Sequence, residues 1–332
     1  VADREPAGRP RLRERLARLR PAARPGAESG ASAAVMRTAV VTDSAAALPV
    51  DWARAFTADG RLTVVPMPVM VGAEIYGEGE DDITERIAVA IAGGTSVKTS
   101  RPSPGQFEQA FLAAQRAGFD AVVSVHISGG LSGTADSARV AATRVGIPVE
   151  VLDSHTVGMA LGMGVQSAVT AAVNGRDAGG VRTAAEERLA RTRVYFYVPS
   201  LEQLRHGGRI GAAASMWGTM FSIKPILAVE DGKIVPLEKV RSGPKAVARL
   251  EEIVVADAAA RPAGQARLAI HHFGNHAEAE RLAARLAVAL PDCPAAQTSA
   301  LPAVLAAHAG LGVLAVIVGE SSAPMIVPPL ST

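Results

Sequence analysis

The sequence predicts an α/β protein of two domains: an N-terminal doubly wound, mainly parallel sheet, then an α+β domain with antiparallel strands. Three observations carry that expectation. Runs of β-branched residues alternate with helical segments up to about residue 155, the pattern of a parallel sheet crossed by helices. Beyond that point a hairpin signal appears among the helices, and hairpins require antiparallel pairing. The 332 residues also exceed what a single core usually supports.

Residues 1–36 hold eight Arg against four acidic residues, and Ala, Pro and Gly supply most of the remainder. Such a segment buries too little apolar surface to offset its ordering entropy, so a disordered extension is expected. Within it, RLRERLARLR has the pattern of a short basic helix suited to transient contact with a membrane surface. Met36 stands directly before the first strand, which leaves a start there open as the alternative to a translated extension. The chain's net charge is only +2, so the extension's basic excess leaves the folded body slightly acidic. A nucleic-acid-binding body needs the opposite balance, and no nucleic acid partner is expected.

The first domain is expected over 37–155. Its strands are TAVVTD (38–43), LTVVPMPVMV (62–71), AVVSVHI (121–127) and VEVLD (149–153), all rich in β-branched residues. DDITERIAVAIAGG reads as a helix closed by a Gly pair. SPGQFEQAFLAAQRAG is a better-marked one. Ser103 is the N-cap, Pro104 takes the first helical position, Gln106 completes a capping box and Gly118 ends it.

The second domain is expected over 156–319, with a tail at 320–332. VGMALGMGVQSAVTAAV and VRTAAEERLARTR read as helices and VYFYVP as a strand, followed by a capped helical turn in SLEQLRHGGRIGAA. IKPILAVEDGKIVPLEKV is a hairpin about Asp231-Gly232, the type I′ dipeptide. PKAVARLEEIVVADAAA, ARLAIHHFG and NHAEAERLAARLAVAL then give helix, strand and helix, the last opened by an Asn275/Glu278 capping box. The 20 residues 300–319 are long enough to span a bilayer, with His308 their one polar residue. Pro302, Gly310 and Gly312 and the lack of a basic flank favour a short helix followed by a buried strand, and no integral membrane segment is expected.

Aromatic residues are only 4% against 48% hydrophobic, so the interior must be aliphatic. The single cysteine, Cys293, excludes an internal disulfide framework and a multi-thiolate zinc site. With no secretory signal, a cytoplasmic protein is expected. No G-x-G-x-x-G follows a strand, and neither a Walker lysine nor a metal-ligand cluster occurs, so no cofactor or metal is expected.

Open α/β sheets bind ligands at the carboxyl ends of their strands. There the sequence places Asp43-Ser44, the loop His126 to Thr134, and Asp153-Ser154; Thr99 to Ser103 enters a helix from the same side. These loops are rich in hydroxyls and glycine and poor in general bases, which suits a receptor for a carboxylate or phosphate better than proton transfer. Ser103 and Ser132 can equally be N-caps, and Asp43 and Asp153 turn caps. His126 can equally be structural. A serine esterase or thioesterase using Ser132 with His126 or His308 is the competing chemistry, although Gly130-Leu131-Ser132-Gly133 misses the G-x-S-x-G spacing.

Seven segments stand out together: VVTDSAAALP (40–49), TSRPSPGQF (99–107), HISGGLSGTADSA (126–138), VLDSHTVGMALG (151–162), LEQLRHGGRI (201–210), IKPILAVEDGKIVPLEKVR (223–241) and HAGLGVL (308–314). In order and spacing across 37–319 they resemble the DegV family, fatty-acid-binding proteins that act as acyl carriers for a bacterial fatty acid kinase. The resemblance implies a long-chain fatty acid held between two domains as the ligand, with a place in phospholipid metabolism. It implies an ATP-binding kinase subunit as partner and no catalysis by this chain alone. The carboxylate-binding pair falls on Thr99 and Ser132, and the kinase-partner or acyl-phosphate residues on Arg209, Arg241 and His308. From the residues alone, Arg209 reads equally as a loop cap and Arg241 as a strand-edge residue. Two departures are visible: Gly129 stands where the family often has a second serine, and Ser242, Gly243 and Pro244 replace a basic cluster. The second keeps open a lipid sensor or store without a kinase partner.

Overall fold

The computed structural model describes residues 36–77, 83–214 and 223–321. The predicted extension, apart from Met36, and the tail beyond Ser321 lie outside the described residues. In chain order the elements are β1 (Thr38–Asp43), a 3-10 turn (Ser44–Ala46), α1 (Val50–Thr57), β2 (Leu62–Val65), β3 (Val69–Val71), β4 (Glu74–Tyr76), α2 (Ile83–Ala92), β5 (Val97–Thr99), α3 (Pro104–Arg116), β6 (Ala121–His126), α4 (Thr134–Ala142) and β7 (Val149–Asp153). They continue as α5 (Met159–Val173), α6 (Ala178–Ala190), β8 (Arg193–Tyr197), α7 (Glu202–His206), β9 (Lys224–Glu230), β10 (Lys233–Val240), α8 (Gly243–Ala259), β11 (Ala266–His272), α9 (His276–Ala289), β12 (Gln297–Ala300), α10 (Ala303–Ala309) and β13 (Leu314–Glu320).

Among the described residues, β2-β1-β6-β7 form a parallel sheet and β10-β9-β8-β13-β11-β12 a mainly antiparallel one, in which only β11 and β12 run parallel. A small antiparallel sheet, β4-β3-β5, stands beside them. The α/β class with a parallel first sheet and an antiparallel second one is therefore what the chain adopts. Strands β1 and β6 are buried along their whole length, as continuous β-branched runs covered on both faces should be.

Helix α5 explains how the two sheets meet. It touches β1 and β6 on one side and β13 on the other, and it is buried on every face, which its largely apolar sequence permits. One cluster of core side chains runs through it from Val123 and Val125 of β6 to Phe196 of β8 and Ile317 of β13. Helices α3 and α4 cover the outer face of the parallel sheet with Phe107, Phe111 and Ala138. Helices α8 and α9 cover the outer face of the second sheet with Leu250 and Leu282.

Local expectations hold where capping chemistry was strong. Ser103 and Gln106 form a reciprocal capping box, and Asp231 and Gly232 both take positive φ, as a type I′ turn requires. Two expectations fail. The single strand expected over 62–71 breaks at Pro66 and Pro68, because proline cannot donate to a ladder, and β3 leaves to found the small sheet. The Asn275/Glu278 capping box does not form either. The Asn275 side-chain amide donates to the Gly312 carbonyl instead, while Glu278 accepts from Arg281 and Arg285. The segment 300–319 divides into α10 and β13, and no helix among the described residues is long and apolar enough to cross a membrane.

Candidate functional site

The loop from Ile127 to Gly133 leaves β6 between the two sheets, and three groups fix its course. Asp43, at the end of β1, accepts the Ile127 backbone N–H (3.0 Å) and pairs with His126 (3.0 Å), whose other nitrogen meets the Ser124 hydroxyl (2.7 Å). All three side chains are buried. Asp153, at the end of β7, accepts the Gly129 N–H (3.0 Å). A side chain at 129 would press its Cβ onto that carboxylate, which accounts locally for glycine there. The Ser128 hydroxyl donates to the Gly232 carbonyl (2.7 Å) and accepts the Gly130 N–H (3.1 Å). The loop on the parallel sheet is thereby fastened to the Asp231-Gly232 turn of the second sheet.

That loop presents Ser132, whose hydroxyl is hydrogen-bonded to the Thr134 hydroxyl (2.8 Å). Arg209, just after α7, donates from Nε to the Leu131 carbonyl (2.9 Å) and from Nη1 to the Gly207 carbonyl (2.6 Å), so its guanidinium is tied to the same loop. Thr99 ends β5, held in register opposite Val69. Its hydroxyl lies 2.7 Å from Nε2 of His308, in the last turn of α10. A Cβ on Gly207 would collide with the His308 ring, so glycine at 207 is what lets the imidazole lie there.

These groups border one cavity, with about 870 Å³ of atom-free space when its open mouth is counted. Thr99, Arg101, Ser132, Arg209 and His308 supply most of its polar rim. The remaining wall is largely aliphatic, with Val194, Val229, Ile234, Val304, Val313 and Ile317 among its members. Four of the five residues singled out from the sequence therefore share one cavity. The fifth, Arg241, is exposed just beyond β10 and does not line it.

Two lining residues were not foreseen. Arg101 lies within the very TSRPS segment that supplied Thr99; its guanidinium lies against Gly133, the residue after Ser132. A cation two positions after a candidate anion-binding hydroxyl was the available signal. His271, next to last in β11, carried no signal beyond belonging to a His pair.

Burial, and then the neighbouring Arg209 guanidinium, push the pKa of His308 down to about 4. Burial, and then His272, push that of His271 down to about 4 as well. Both imidazoles are thus neutral near neutrality, and the cationic charge at the cavity mouth is guanidinium. In the unfolded chain both would titrate near 6.5. Between those values the unfolded state binds more protons than the folded one, so stability is fully present above about pH 6.5 and falls as pH drops toward about 4. Thermal unfolding followed across that window is expected to show the loss, at up to about 1.4 kcal/mol per pH unit for the fully enclosed His271. A His271→Gln variant should show a shallower slope; an unchanged slope would place the proton uptake elsewhere.

A family model described as an uncharacterised protein of the DegV family matches residues 37–320. A DegV domain-containing protein of Streptomyces coelicolor is 42% identical over 282 residues, covering 85% of this chain and 98% of that one. Among solved structures, a DegV family protein of Thermus thermophilus described as binding fatty acid superposes with a TM-score of 0.78 at 30% identity, over 86% of this chain and 100% of its own. DegV of Bacillus subtilis, described as a fatty acid binding protein, gives 0.75 at 29% identity over 86% of this chain and 100% of its own. With a family model spanning all but the two ends and a relative this similar along its whole length, the chain belongs to the DegV family.

Proposed function

We propose that this protein binds a long-chain fatty acid in the cavity and presents its carboxylate to an ATP-dependent kinase partner, which converts it to the acyl phosphate. The observation that carries the proposal is one cavity combining an aliphatic wall with the hydroxyls of Thr99 and Ser132 and the guanidiniums of Arg101 and Arg209. A chain of ~16 carbons at about 0.8 kcal/mol per methylene gains roughly 12 kcal/mol on leaving water, before ordering costs. A buried carboxylate left without donors would forfeit several kcal/mol of that.

Thr99 and Ser132 answer this need as donors. With the His308 proton on Nε2, the imidazole donates to Thr99 Oγ1 and leaves the threonine hydrogen for the carboxylate. Nδ1 is then a bare lone pair, in keeping with its burial without a hydrogen-bond partner among the described residues. Arg209, and Arg101 at the rim, balance the anion's charge without a buried counter-ion. The carboxylate oxygen that the hydroxyls leave free attacks the γ-phosphorus of ATP on the partner, and ADP departs. The fatty acid binding ascribed to the Thermus and Bacillus proteins supports the same class of ligand.

Arg241 is exposed and off the cavity, which suits contact with the kinase partner in the cytoplasm. Arg241→Ala is expected to keep its lipid and to lose most phosphoryl transfer in an assay with radiolabelled ATP and the kinase subunit. Lipid lost from that variant would reassign the arginine to the binding site.

Solvent extraction of freshly purified protein, followed by mass spectrometry, is the direct test. About one equivalent of long-chain acid is expected, and lipid-free material from protein never delipidated would sink the proposal. A lipid store without a kinase partner is the second reading, favoured by Ser242, Gly243 and Pro244, which start α8 where the family often carries a basic cluster. Ester hydrolysis is disfavoured. The Ser132 hydroxyl meets Thr134, and the His126 imidazole is enclosed between Asp43 and Ser124.

A further inference from the structure

His271 is held at both ring nitrogens. The Met159 backbone N–H, at the start of α5, donates to Nε2 (3.0 Å), so the proton must sit on Nδ1, which donates to the Ser299 hydroxyl (3.0 Å). Gly158 takes φ 65 and ψ −151, a conformation essentially confined to glycine. A Cβ there would stand 3.3 Å from the ring, tighter than such contacts normally run. The imidazole is thus fixed by two hydrogen bonds and a glycine shaped to receive it, and it cannot swing aside as a free side chain would.

The place where it is fixed matters. His271 and Leu301 line the acyl cavity, and the same two residues line a second, larger groove of about 1,620 Å³ of atom-free space, counting open solvent. The groove is mostly apolar, with Leu48, Ala53, Val64, Ile83 and Met159 on its walls. Leu301 precedes α10 while His308 stands in that helix's last turn, so the shared wall lies at the opposite end of α10 from the proposed head-group site. His271 and Leu301 are thus the two residues common to the walls of both spaces, with apolar side chains on either side of them.

We propose that His271 and Leu301 form a specificity-determining partition, which confines a bound acyl chain to the first cavity and limits the chain length that the protein accepts. The inference rests on the fatty-acid reading above. When the partition is thinned, the distal methylenes of a longer chain enter the apolar groove rather than folding back inside the cavity.

The test uses the full chain, delipidated, with palmitate and behenate competing against a fluorescent fatty acid. Wild type is expected to favour palmitate. In His271→Ala and in Leu301→Ala the behenate-to-palmitate affinity ratio is expected to rise about tenfold, the equivalent of roughly two further methylenes removed from water. Leu301→Ala keeps every hydrogen bond of the partition, so it carries the test should His271→Ala not fold. A ratio unchanged in a variant that still binds palmitate overturns the partition alone. Failure of wild type to bind either acid overturns the fatty-acid reading, and the partition with it.

Discussion

Thr99→Val combined with Ser132→Ala is expected to leave a folded protein that no longer retains fatty acid. Among the described residues the Thr99 hydroxyl hydrogen-bonds only His308, and the Ser132 hydroxyl only Thr134, so neither substitution breaks a backbone contact there. What disappears is the pair of neutral donors at the rim of an apolar cavity. A hydrogen bond to a charged group contributes about 1.5–3 kcal/mol, so losing two weakens binding by roughly a hundredfold or more. Displacement of a fluorescent fatty acid measures the affinity, and thermal unfolding checks that the variant is intact. Affinity held within a few-fold would show that the carboxylate is gripped elsewhere, with Arg209 and Arg101 the next groups to remove.

Gly162→Ala should have the largest effect on stability of any single-methyl addition in the central helix. A Cβ at 162 would collide with the Ala46 carbonyl oxygen, which is backbone and sits in a turn pinned by Asp43, and would lie 2.8 Å from the Met159 sulfur. Methionine can yield; the carbonyl can move only if the 3-10 turn moves. Overpacking of this kind costs about 1–3 kcal/mol and occasionally more, or a fall in Tm of roughly 2–5 °C in a chain of this size. Gly179→Ala is the matched control. Its Cβ would meet nothing closer than 3.8 Å, on an exposed face of α6, so helix propensity should make it neutral or slightly stabilising. Equal losses in both variants would mean that the close approach of α5 to the turn is not what glycine is for.

Much of the architecture was legible because local chemistry and tertiary packing agree there. The capping box at Ser103, the I′ turn at Asp231-Gly232 and the buried runs of β1 and β6 each follow from a few adjacent residues. The sequence reading faltered where a distant group outbid the local one. Asn275 has the right neighbour for a capping box, yet the Gly312 carbonyl, brought close by the pairing of β11 with β13, takes its amide. β12, with the sequence Gln-Thr-Ser-Ala, has no apolar periodicity to announce it and exists as an edge strand because β11 offers a free ladder.

The candidate site divides along the same line. Hydroxyl-rich loops at strand ends pointed to an anion receptor, and Thr99, Ser132, Arg209 and His308 do border one cavity. Arg241 stands apart because it follows the far end of β10, seven positions beyond Ile234, the residue of that strand that does line the cavity. His271 was invisible to local reading. Its importance comes from Met159 and Ser299, 112 and 28 residues away in the chain.

The bond from Ser128 to the Gly232 carbonyl bears on how such a protein can be re-engineered. The segment carrying Ser132 is not a module that can be exchanged alone, since half of its scaffold is a hairpin tip more than ninety positions downstream. A chimera that imports 127–133 from a relative has to import residues 230–233 alongside it. Selectivity among anionic head groups in this family should therefore be inherited by paired exchange of two remote stretches of chain.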